Sequence, residues 1–268
     1  MTRRLLAVAL LLSALTACNR AGANDALRIG ALYPTTGPQA VAGIEELRGV
    51  RLAVDRINSR GGVGGRRIQL VTADAPTPES AGGALYRLLN RKVEVVLGSH
   101  SSAVSAAVAR ASRGRRVAFF ETGAVGAVDR EATGGRTFFR IAPMGANLGR
   151  AAVAFVGDQL QPGRTLRWAV AHIDDDYGRA VAQGAVAEAR RRGLDVVGMF
   201  PYDGHNFDAS ATAARIADAH PDALFVSSYL DDGIALRRAT LARGLKVLAE
   251  IGTSSSYCHP AFGAALGA

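Results

Sequence analysis

The sequence of 268 residues predicts an α/β protein with two similar lobes, each built on a parallel sheet flanked by helices. Short aliphatic runs alternate along the chain with amphipathic stretches of ten or more residues, which is typical of parallel sheets. This alternation starts afresh after a short strand at 137–141, so we predict one lobe at 27–145 and another at 146–268. Hydrophobic residues make up 49% of the chain and charged residues 21%, which indicates packed globular domains.

In the first lobe, β-branched and aliphatic runs predict strands, and apolar residues at helical spacing predict helices. The predicted strands are Leu27–Tyr33, Arg67–Thr72, Val93–Gly98, Arg116–Phe120 and Thr137–Ile141. The predicted helices are Glu46–Arg60, Pro78–Asn90 and one that begins just after Gly98. The first of these helices carries Val50, Val54 and Ile57 on one face and ends before Gly61-Gly62.

The second lobe repeats this order of elements. The predicted helices are Ala146–Leu160, Gly178–Arg192, Ala209–Ala219 and Asp232–Arg243. The predicted strands are Leu166–Ile173, Leu194–Phe200, Ala223–Ser227 and Lys246–Ile251. Ligands of open parallel sheets bind beyond the carboxyl ends of the strands, so every loop from a strand to a helix is a candidate binding loop.

The N-terminus has the pattern of a bacterial export signal. Arg3 and Arg4 precede the apolar run Leu5–Leu15, which is too short to span a bilayer. Cys18 follows Leu-Thr-Ala, which resembles a lipobox, the motif in which the cysteine is lipidated. We therefore predict a signal peptide at 1–17, a tether at 18–26 and an extracytoplasmic protein attached to the membrane only by its lipid.

The stretch "VVLGSHSSAVSAAVAR" predicts a binding loop between a buried strand and a helix. Ser101 or Ser102 is placed to cap the helix, because a hydroxyl oxygen accepts from the free N–H groups of a first turn. Those N–H groups and the helix dipole favour an anion. The loop therefore predicts a ligand with a negative or strongly accepting group.

Several patterns argue against nucleotide, nucleic-acid and enzymatic chemistry. The net charge of +9 comes from scattered arginines without interleaved aromatic residues, so we expect no nucleic-acid partner. The glycine cluster at 61–65 lies between a helix and a strand and lacks dinucleotide-binding spacing, and the chain has no nucleotide phosphate loop. Ser101 has His100 beside it, but no nucleophile elbow is present. We predict no catalytic residues and no cofactor.

Two clusters resemble metal sites only superficially. Asp174-Asp175-Asp176 lacks the spacing of a calcium loop, and acidic residues before a helix are common caps. Cys258 and His259 are adjacent and have no third ligand at a recognisable spacing. We therefore predict no metal site and an incidental thiol at Cys258.

Taken in order, these loops resemble the branched-chain amino-acid-binding family of ABC-transporter solute-binding proteins. The matching stretches of the first lobe are "LRIGALYPTTGP", "RGVRLAVDRINSRGGVGGRRIQLVTAD", "VVLGSHSSAV" and "FFRIAP". Those of the second are "DDDYGR", "NFDASATAARI", "DALFVSSY" and "LRRATLARGLK". The resemblance runs in family order over nearly all of 27–251. It implies the type I periplasmic-binding fold, with two Rossmann-like lobes that close over a small ligand and deliver it to a permease.

The resemblance also implies which residues bind that ligand. In the first lobe, Ser102, with Ser101 and the backbone of its helix, would bind the ligand carboxylate. Glu121, Gly123 and Ala124 would line the same side. In the second lobe, Tyr177 and Tyr229 would cover the ligand, and Ser254 would complete the pocket. No bond would be made or broken, and we expect a monomer.

Two departures from the family pattern leave the ligand open. The family commonly has a hydroxyl residue where Val125 stands and a carboxylate for the ligand ammonium where Ser254 stands. Glu121, Asp231 or Asp232 would replace that acid, or else the ligand is not an ordinary α-amino acid. The alternative function is a sensing or regulatory receptor for an amide or organic acid. The family chain also continues and returns to the first lobe, so we expect an incomplete first lobe without this C-terminal return segment.

Overall fold

The computed structural model describes residues 26–126 and 137–267, which form two parallel sheets flanked by helices. The signal peptide, Cys18 and most of the tether lie outside these residues. The contacts divide the described chain into two compact units. The first comprises 26–100, Val104–Gly123 and 137–140; the second comprises Ser101–Ala103, 124–126 and 141–267. The predicted lobe boundary between residues 145 and 146 stays a prediction.

The first unit is a five-stranded parallel sheet with three helices, and the third helix begins with two residues, Ser102 and Ala103, that group with the second unit. In chain order the elements are β1 Leu27–Tyr33, α1 Ala40–Ser59, β2 Ile68–Asp74, α2 Pro78–Leu89, β3 Val95–Gly98, α3 Ser102–Ser112, β4 Ala118–Glu121 and β5 Phe138–Arg140. The strand order is β2-β1-β3-β4-β5. The strands are parallel, and β2 is added on one side of β1 whereas β3 is added on the other, so the order of the strands reverses between β1 and β3. Crevices for ligands form at such a reversal, beyond the carboxyl ends of the strands.

The second unit repeats this layout with four parallel strands. Its elements are α4 Gly145–Phe155, β6 Arg167–Ile173, α5 Asp176–Arg191, β7 Asp195–Tyr202, α6 Ala209–Asp218, β8 Ala223–Ser227, α7 Leu230–Ala242, β9 Ala249–Gly252 and α8 Pro260–Leu266. The strand order is β7-β6-β8-β9, with the reversal between β6 and β8. The sheet has a core on each face. Trp168, Val170 and Phe225 lie on the face that packs against α4 and α5, and Ala171 and Leu224 lie on the other.

The backbones of α4 and α5 are in direct contact at two glycines. A Cβ atom on Gly149 would lie 2.0 Å from the carbonyl oxygen of Val181, and one on Gly184 would lie 2.1 Å from that of Ala146. No side chain fits at either position, because real Cβ atoms do not approach other heavy atoms so closely. Glycine at both positions therefore sets the distance between the two helices.

The structure confirms the predicted fold class and shifts several element boundaries. Helix α1 begins at Ala40, six residues before the predicted start, because the Gly37-Pro38 turn ends sooner than expected; Gly43 there lies against the carbonyl of Pro34. The helix predicted at 146–160 ends as an α-helix at Phe155 and continues as a π-helical turn, Val156–Leu160. Helix α8 was missed, although His259 caps it and Pro260 opens it.

Candidate functional site

At the carboxyl edge of the first sheet, a chain of hydrogen bonds joins β1, α1 and two loops. The hydroxyl oxygens of Tyr33 and Thr122 lie 2.8 Å apart, and the Thr122 hydroxyl donates to Glu46 Oε2 across 3.2 Å. The other carboxylate oxygen of Glu46 lies 2.8 Å from His100 Nδ1. Burial raises the pKa of Tyr33 to about 12, so its hydroxyl keeps its proton. These bonds link the loops that follow β3 and β4 to α1.

Gly123 lies directly against this network. A Cβ atom at this position would lie 2.0 Å from Glu46 Oε1, so a side chain here would displace the carboxylate or the loop. The close approach explains why glycine stands at 123, a position that the sequence had indicated only through resemblance.

Glu121, the last residue of β4, is fully buried and bonded within the first unit. Its Oε2 lies 3.5 Å from Arg140 Nε, on the neighbouring strand β5, and its Oε1 accepts from the Gly123 N–H across 2.8 Å. Burial lowers the pKa of Arg140, and the charge of Glu121 opposes this. Glu121 therefore supports the Gly123 loop and neutralises Arg140, and its contact with a ligand stays a prediction.

The serine loop follows β3 as predicted. Helix α3 begins at Ser102, so Ser101 immediately precedes it. Ser99 lies deeper, with its N–H and hydroxyl 3.3 Å and 3.0 Å from the hydroxyl oxygen of Ser105. The Ser102 hydroxyl accepts from the Gly126 N–H across 3.0 Å, and Ala124 is buried close to Gly126 in the sequence. The structure thus brings the Ser102 and Ala124–Gly126 segments together.

In the second unit, the two predicted tyrosines form a stacked pair. The rings of Tyr177, in the first turn of α5, and Tyr229, just before α7, have centroids 5.1 Å apart. The Tyr177 hydroxyl donates to Thr253 Oγ1 across 2.5 Å, and the Tyr229 hydroxyl donates to Asp175 Oδ2 across 2.9 Å. Burial raises the pKa of Tyr177, so its hydroxyl keeps its proton and stays a hydrogen-bond donor.

A half-buried carboxyl group lies beside this pair. Asp232 Oδ2 accepts from the Tyr202 hydroxyl across 2.5 Å and from the Tyr229 N–H across 3.3 Å. Burial raises the pKa of Asp232 to about 6, and the hydrogen bond from Tyr202 offsets only part of this increase. Sequence reasoning named Asp232 only as one of three substitutes for a missing acid.

The loop after β9 contacts the tyrosine pair through a residue that the sequence did not single out. Ser254 is exposed in a turn, whereas Thr253 and Ser256 on either side are buried. Ser256 shares a 2.7 Å hydrogen bond with Ser228, and Thr253 accepts from Tyr177. The structure therefore places Thr253 in contact with Tyr177, and the predicted ligand contact of Ser254 stays a prediction.

No group of three or more metal-ligating side chains occurs in residues 26–126 and 137–267, and Cys258 is exposed. His259 Nδ1 instead accepts from the Ala261 N–H across 3.1 Å and caps α8. Within the same residues, no helix is both long and apolar enough to cross a membrane.

Two doubly wound units with hydrogen-bonding groups at the carboxyl edges of their sheets define a protein with the type I periplasmic-binding fold. The chain belongs to the periplasmic binding protein family, whose model matches residues 26–267. This confirms the resemblance found in the sequence. Membership of a periplasmic family also implies an extracytoplasmic location.

The chain is similar to proteins of Brucella abortus named Leu/Ile/Val-binding protein homologs 7 and 8. It is 31% identical to the first over 256 residues, covering 93% of this chain and 64% of that protein. It is 30% identical to the second over 237 residues, covering 86% and 59%. The chain thus spans less than two thirds of the length of these relatives.

Solved structures share the fold. A branched-chain amino-acid transporter substrate-binding protein of Streptococcus pneumoniae, in complex with isoleucine, has a TM-score of 0.74 at 21% identity and covers 86% of this chain and 65% of its own. A solute-binding protein of Rhodopseudomonas palustris, in complex with benzoate, has a TM-score of 0.73 at 22% identity and covers 86% and 63%. The family is one of periplasmic binding proteins and not of enzymes, which confirms the prediction that the protein is not an enzyme.

Proposed function

We propose that this protein is the solute-binding component of an ABC importer and binds a small ligand through its carboxylate. The observation that carries the proposal is the start of α3, where Ser101 and Ser102 follow β3 at the reversal point of the first sheet. Free N–H groups of a first helical turn and the helix dipole favour an anionic group. The Ser102 hydroxyl already accepts from Gly126, so its own proton is available for a ligand oxygen.

The comparisons support a carboxylate as the shared feature of the ligand. The Brucella relatives are named for leucine, isoleucine and valine, and the solved neighbours hold isoleucine or benzoate. Amino acids and benzoates have the carboxylate in common and differ in the ammonium group. We therefore propose a branched-chain or other amino acid, or an organic acid, as the ligand.

The remaining predicted residues have supporting roles in this proposal. Gly123 and Ala124 line the ligand on the side of Ser102, and Glu121 holds their loop in place through the Gly123 N–H. Tyr177 and Tyr229 cover the ligand when the two lobes of the family fold close on it. Ser254 lies at the exposed rim, and the buried Thr253 orients Tyr177.

The proposal of import includes a location outside the cytoplasm and an ABC permease as the partner. Cys18 would carry the lipid that anchors the protein outside the cytoplasm, and an ABC permease would recognise the ligand-bound form. A hinge between two units is a common device for such recognition.

Calorimetric titration of the full chain with leucine, isoleucine and benzoate tests the binding proposal. We expect at least one carboxylate to bind with a dissociation constant in or below the micromolar range, and the corresponding amide to bind at least tenfold more weakly. Equal affinity for a carboxylate and its amide would overturn the assignment of the serine loop.

A further inference from the structure

The amino edge of the first sheet, where its strands begin, carries an excess of positive charge. Because the strands are parallel, the loops that precede β2, β3 and β4 lie at this edge beside the start of β1. Within the described loops 60–67, 90–94 and 113–117, Glu94 is the only acid. The basic edge, as we call it, consists of nine exposed residues: Arg28, Arg60, Arg66, Arg67, Arg91, Lys92, Arg113, Arg115 and Arg116.

Hydrogen bonds hold the loops of the basic edge next to one another. The Leu27 N–H donates to the Arg67 carbonyl across 2.9 Å, which joins the start of β1 to the loop before β2. The Arg28 guanidinium donates to the Arg91 carbonyl across 3.0 Å, which joins β1 to the loop before β3. The loop before β4 adjoins that one, because β3 and β4 pair from their first residues. The nine cations therefore form one continuous surface.

The ends of three helices compensate only a small part of this charge. Helices α1, α2 and α3 end at the basic edge, where cations interact favourably with the helix dipole. Each helix end carries about half of a negative charge, so the three together offset fewer than about two of the positive charges. The Arg28 and Arg115 guanidinium groups donate to amide and carbonyl oxygens, which carry no formal charge. The basic edge therefore keeps a large positive charge.

The corresponding edge of the second sheet is different. Arg192 donates to Asp158 across 2.7 Å, and Arg167 Nε lies 3.7 Å from Asp195 Oδ2. Arginines there have carboxylate partners from neighbouring loops and helices, whereas the described loops of the basic edge contain a single carboxylate. The excess of charge is therefore a property of the first unit, beyond the high arginine content of the chain.

The side chains of the basic edge are suited to lipid headgroups. Aromatic residues, which would stack on nucleic-acid bases, are absent from the described loops 60–67, 90–94 and 113–117. The first of these loops presents Val63, which is 49% exposed, in a tight turn closed by backbone hydrogen bonds between Val63 and Arg66. Binding to an anionic membrane surface increases with both positive charge and buried apolar area, and this loop supplies both.

The chain also enters the first unit at the basic edge, because β1 begins at Leu27. Cys18, the proposed site of the lipid, precedes Leu27 by nine residues, which span at most about 30 Å when extended. A lipid at Cys18 would therefore hold this edge close to the bilayer. This step rests on the proposed function, whereas the charge of the edge does not depend on it.

We propose that the basic edge binds anionic phospholipid headgroups and orients the protein on the membrane. The guanidinium groups donate to phosphate oxygens of the headgroups, and Val63 packs among the lipids at the interface. The hydrogen-bonded network of Tyr33, Thr122 and Glu46 lies at the opposite edge of the same sheet, so the contact leaves it turned away from the bilayer. Salt screens the contact and makes it reversible, so the lipid at Cys18 remains the anchor.

Cosedimentation of the full chain with lipid vesicles tests this proposal. The vesicles consist of phosphatidylcholine alone or of phosphatidylcholine with phosphatidylglycerol. We expect binding to the anionic vesicles to be at least about tenfold stronger, and to weaken as the salt concentration rises. Equal binding to both kinds of vesicle would show that apolar contacts of the run Leu5–Leu15 suffice, and would overturn the proposal. Displacement by a single-stranded oligonucleotide at an equal concentration of phosphate groups would assign the edge to nucleic acid instead.

A triple variant of the basic edge locates the contact. Each basic residue near an anionic surface contributes about fivefold to binding, so three substitutions should weaken binding to the anionic vesicles by roughly a hundredfold. The substitutions are Arg60→Gln, Arg67→Gln and Arg116→Gln, all at exposed positions. Unchanged binding of this variant would overturn the proposal.

A second triple variant with the same loss of charge is the control. It carries Arg150→Gln, Arg190→Gln and Arg243→Gln, at exposed positions of the second unit. We expect its binding to the anionic vesicles to change by less than about threefold, because salt screens charges that do not reach the surface. Equal weakening in the two variants would mean that only net charge matters and would overturn the proposal. Circular dichroism of both variants establishes that they are folded.

Discussion

The Tyr229 hydroxyl donates to Oδ2 of Asp175 across 2.9 Å, while Oδ1 of the same carboxylate accepts from the Gly178 N–H across 2.7 Å and caps α5. One carboxylate thus ties the start of α7 to the start of α5. Because Tyr177 lies in the first turn of α5, the bond also fixes the stacking of the two tyrosine rings.

Tyr229→Phe should keep the stacking of the two rings and remove the hydrogen bond to Asp175. We expect the free energy of unfolding to fall by about 1 kcal/mol, less than for a fully buried bond to a charge because Tyr229 is half-buried. Urea denaturation measures the change. Tyr86→Phe, at a residue that is 58% exposed, should shift stability by less than about 0.5 kcal/mol; a similar loss in both variants would contradict a structural role for the Asp175 bond.

Ser102→Ala should weaken carboxylate binding by roughly ten- to a hundredfold, since a hydrogen bond to a charged group contributes about 1.5–3 kcal/mol. It also removes the acceptor of the Gly126 N–H, so stability must be measured alongside affinity. Ser210→Ala, at an exposed position of α6, is the matched control. If Ser102→Ala bound as tightly as the wild type, the serine would only organise the loop.

Asp232 should make stability depend on pH between about 4 and 6. Its pKa is about 6 in the folded protein against 3.8 for the ordinary side chain, so the folded state binds the proton more tightly. Its contribution is therefore fully present below about pH 3.8 and is lost as the pH rises through 6; about two pH units correspond to roughly 3 kcal/mol at most. Asp232→Asn should abolish this dependence, and parallel stability curves of wild type and variant would refute it.

Gly123→Ala should destabilise the protein by about 1–3 kcal/mol, because the new Cβ atom displaces Glu46 from His100 and Thr122 or shifts the loop. Ligand affinity should fall as well if the loop lines the ligand. Gly82→Ala is the control, since the position is exposed in α2 with open space around it; there alanine should stabilise by about 0.5–1 kcal/mol. Thermal denaturation and calorimetry compare the two variants.

Cys18→Ser should release the protein from the membrane and leave its fold intact. The reason is that a lipidated cysteine is the only anchor that we propose, and a serine cannot accept the thioether-linked lipid. Membrane fractionation of cells that express each form measures the outcome. A serine variant that stays in the membrane fraction would contradict the lipid anchor.

Local sequence patterns predicted the strands, helices and loops, which depend on neighbouring residues. They did not predict the contacts between residues that are far apart in the sequence. The serine loop was predictable because strand, loop and helix signals follow one another within 16 residues. The contact of Glu46 with His100 joins residues 54 positions apart, and each residue alone has an ordinary context. Thr253 was missed for a different reason: resemblance singled out only Ser254 in this loop, and the sequence does not show that the turn after β9 buries Thr253.

The role of Glu121 was also beyond the sequence. Resemblance placed Glu121 in a loop beside the ligand, whereas its partner Arg140 lies on a strand that pairs with β4 only in the folded sheet. The π-helical turn at Val156–Leu160 has an apolar periodicity close to that of an α-helix, so the pattern predicted one continuous helix.

The glycine contacts between α4 and α5 have a consequence for genetic searches. Every single-base missense change of a glycine codon introduces a residue with a Cβ atom, and neither Gly149 nor Gly184 has room for one. In a saturation mutagenesis screen both positions should therefore be as intolerant as a binding residue. A functional map drawn from mutational tolerance alone would mark this helix pair as a site, although the two glycines only let two backbones touch.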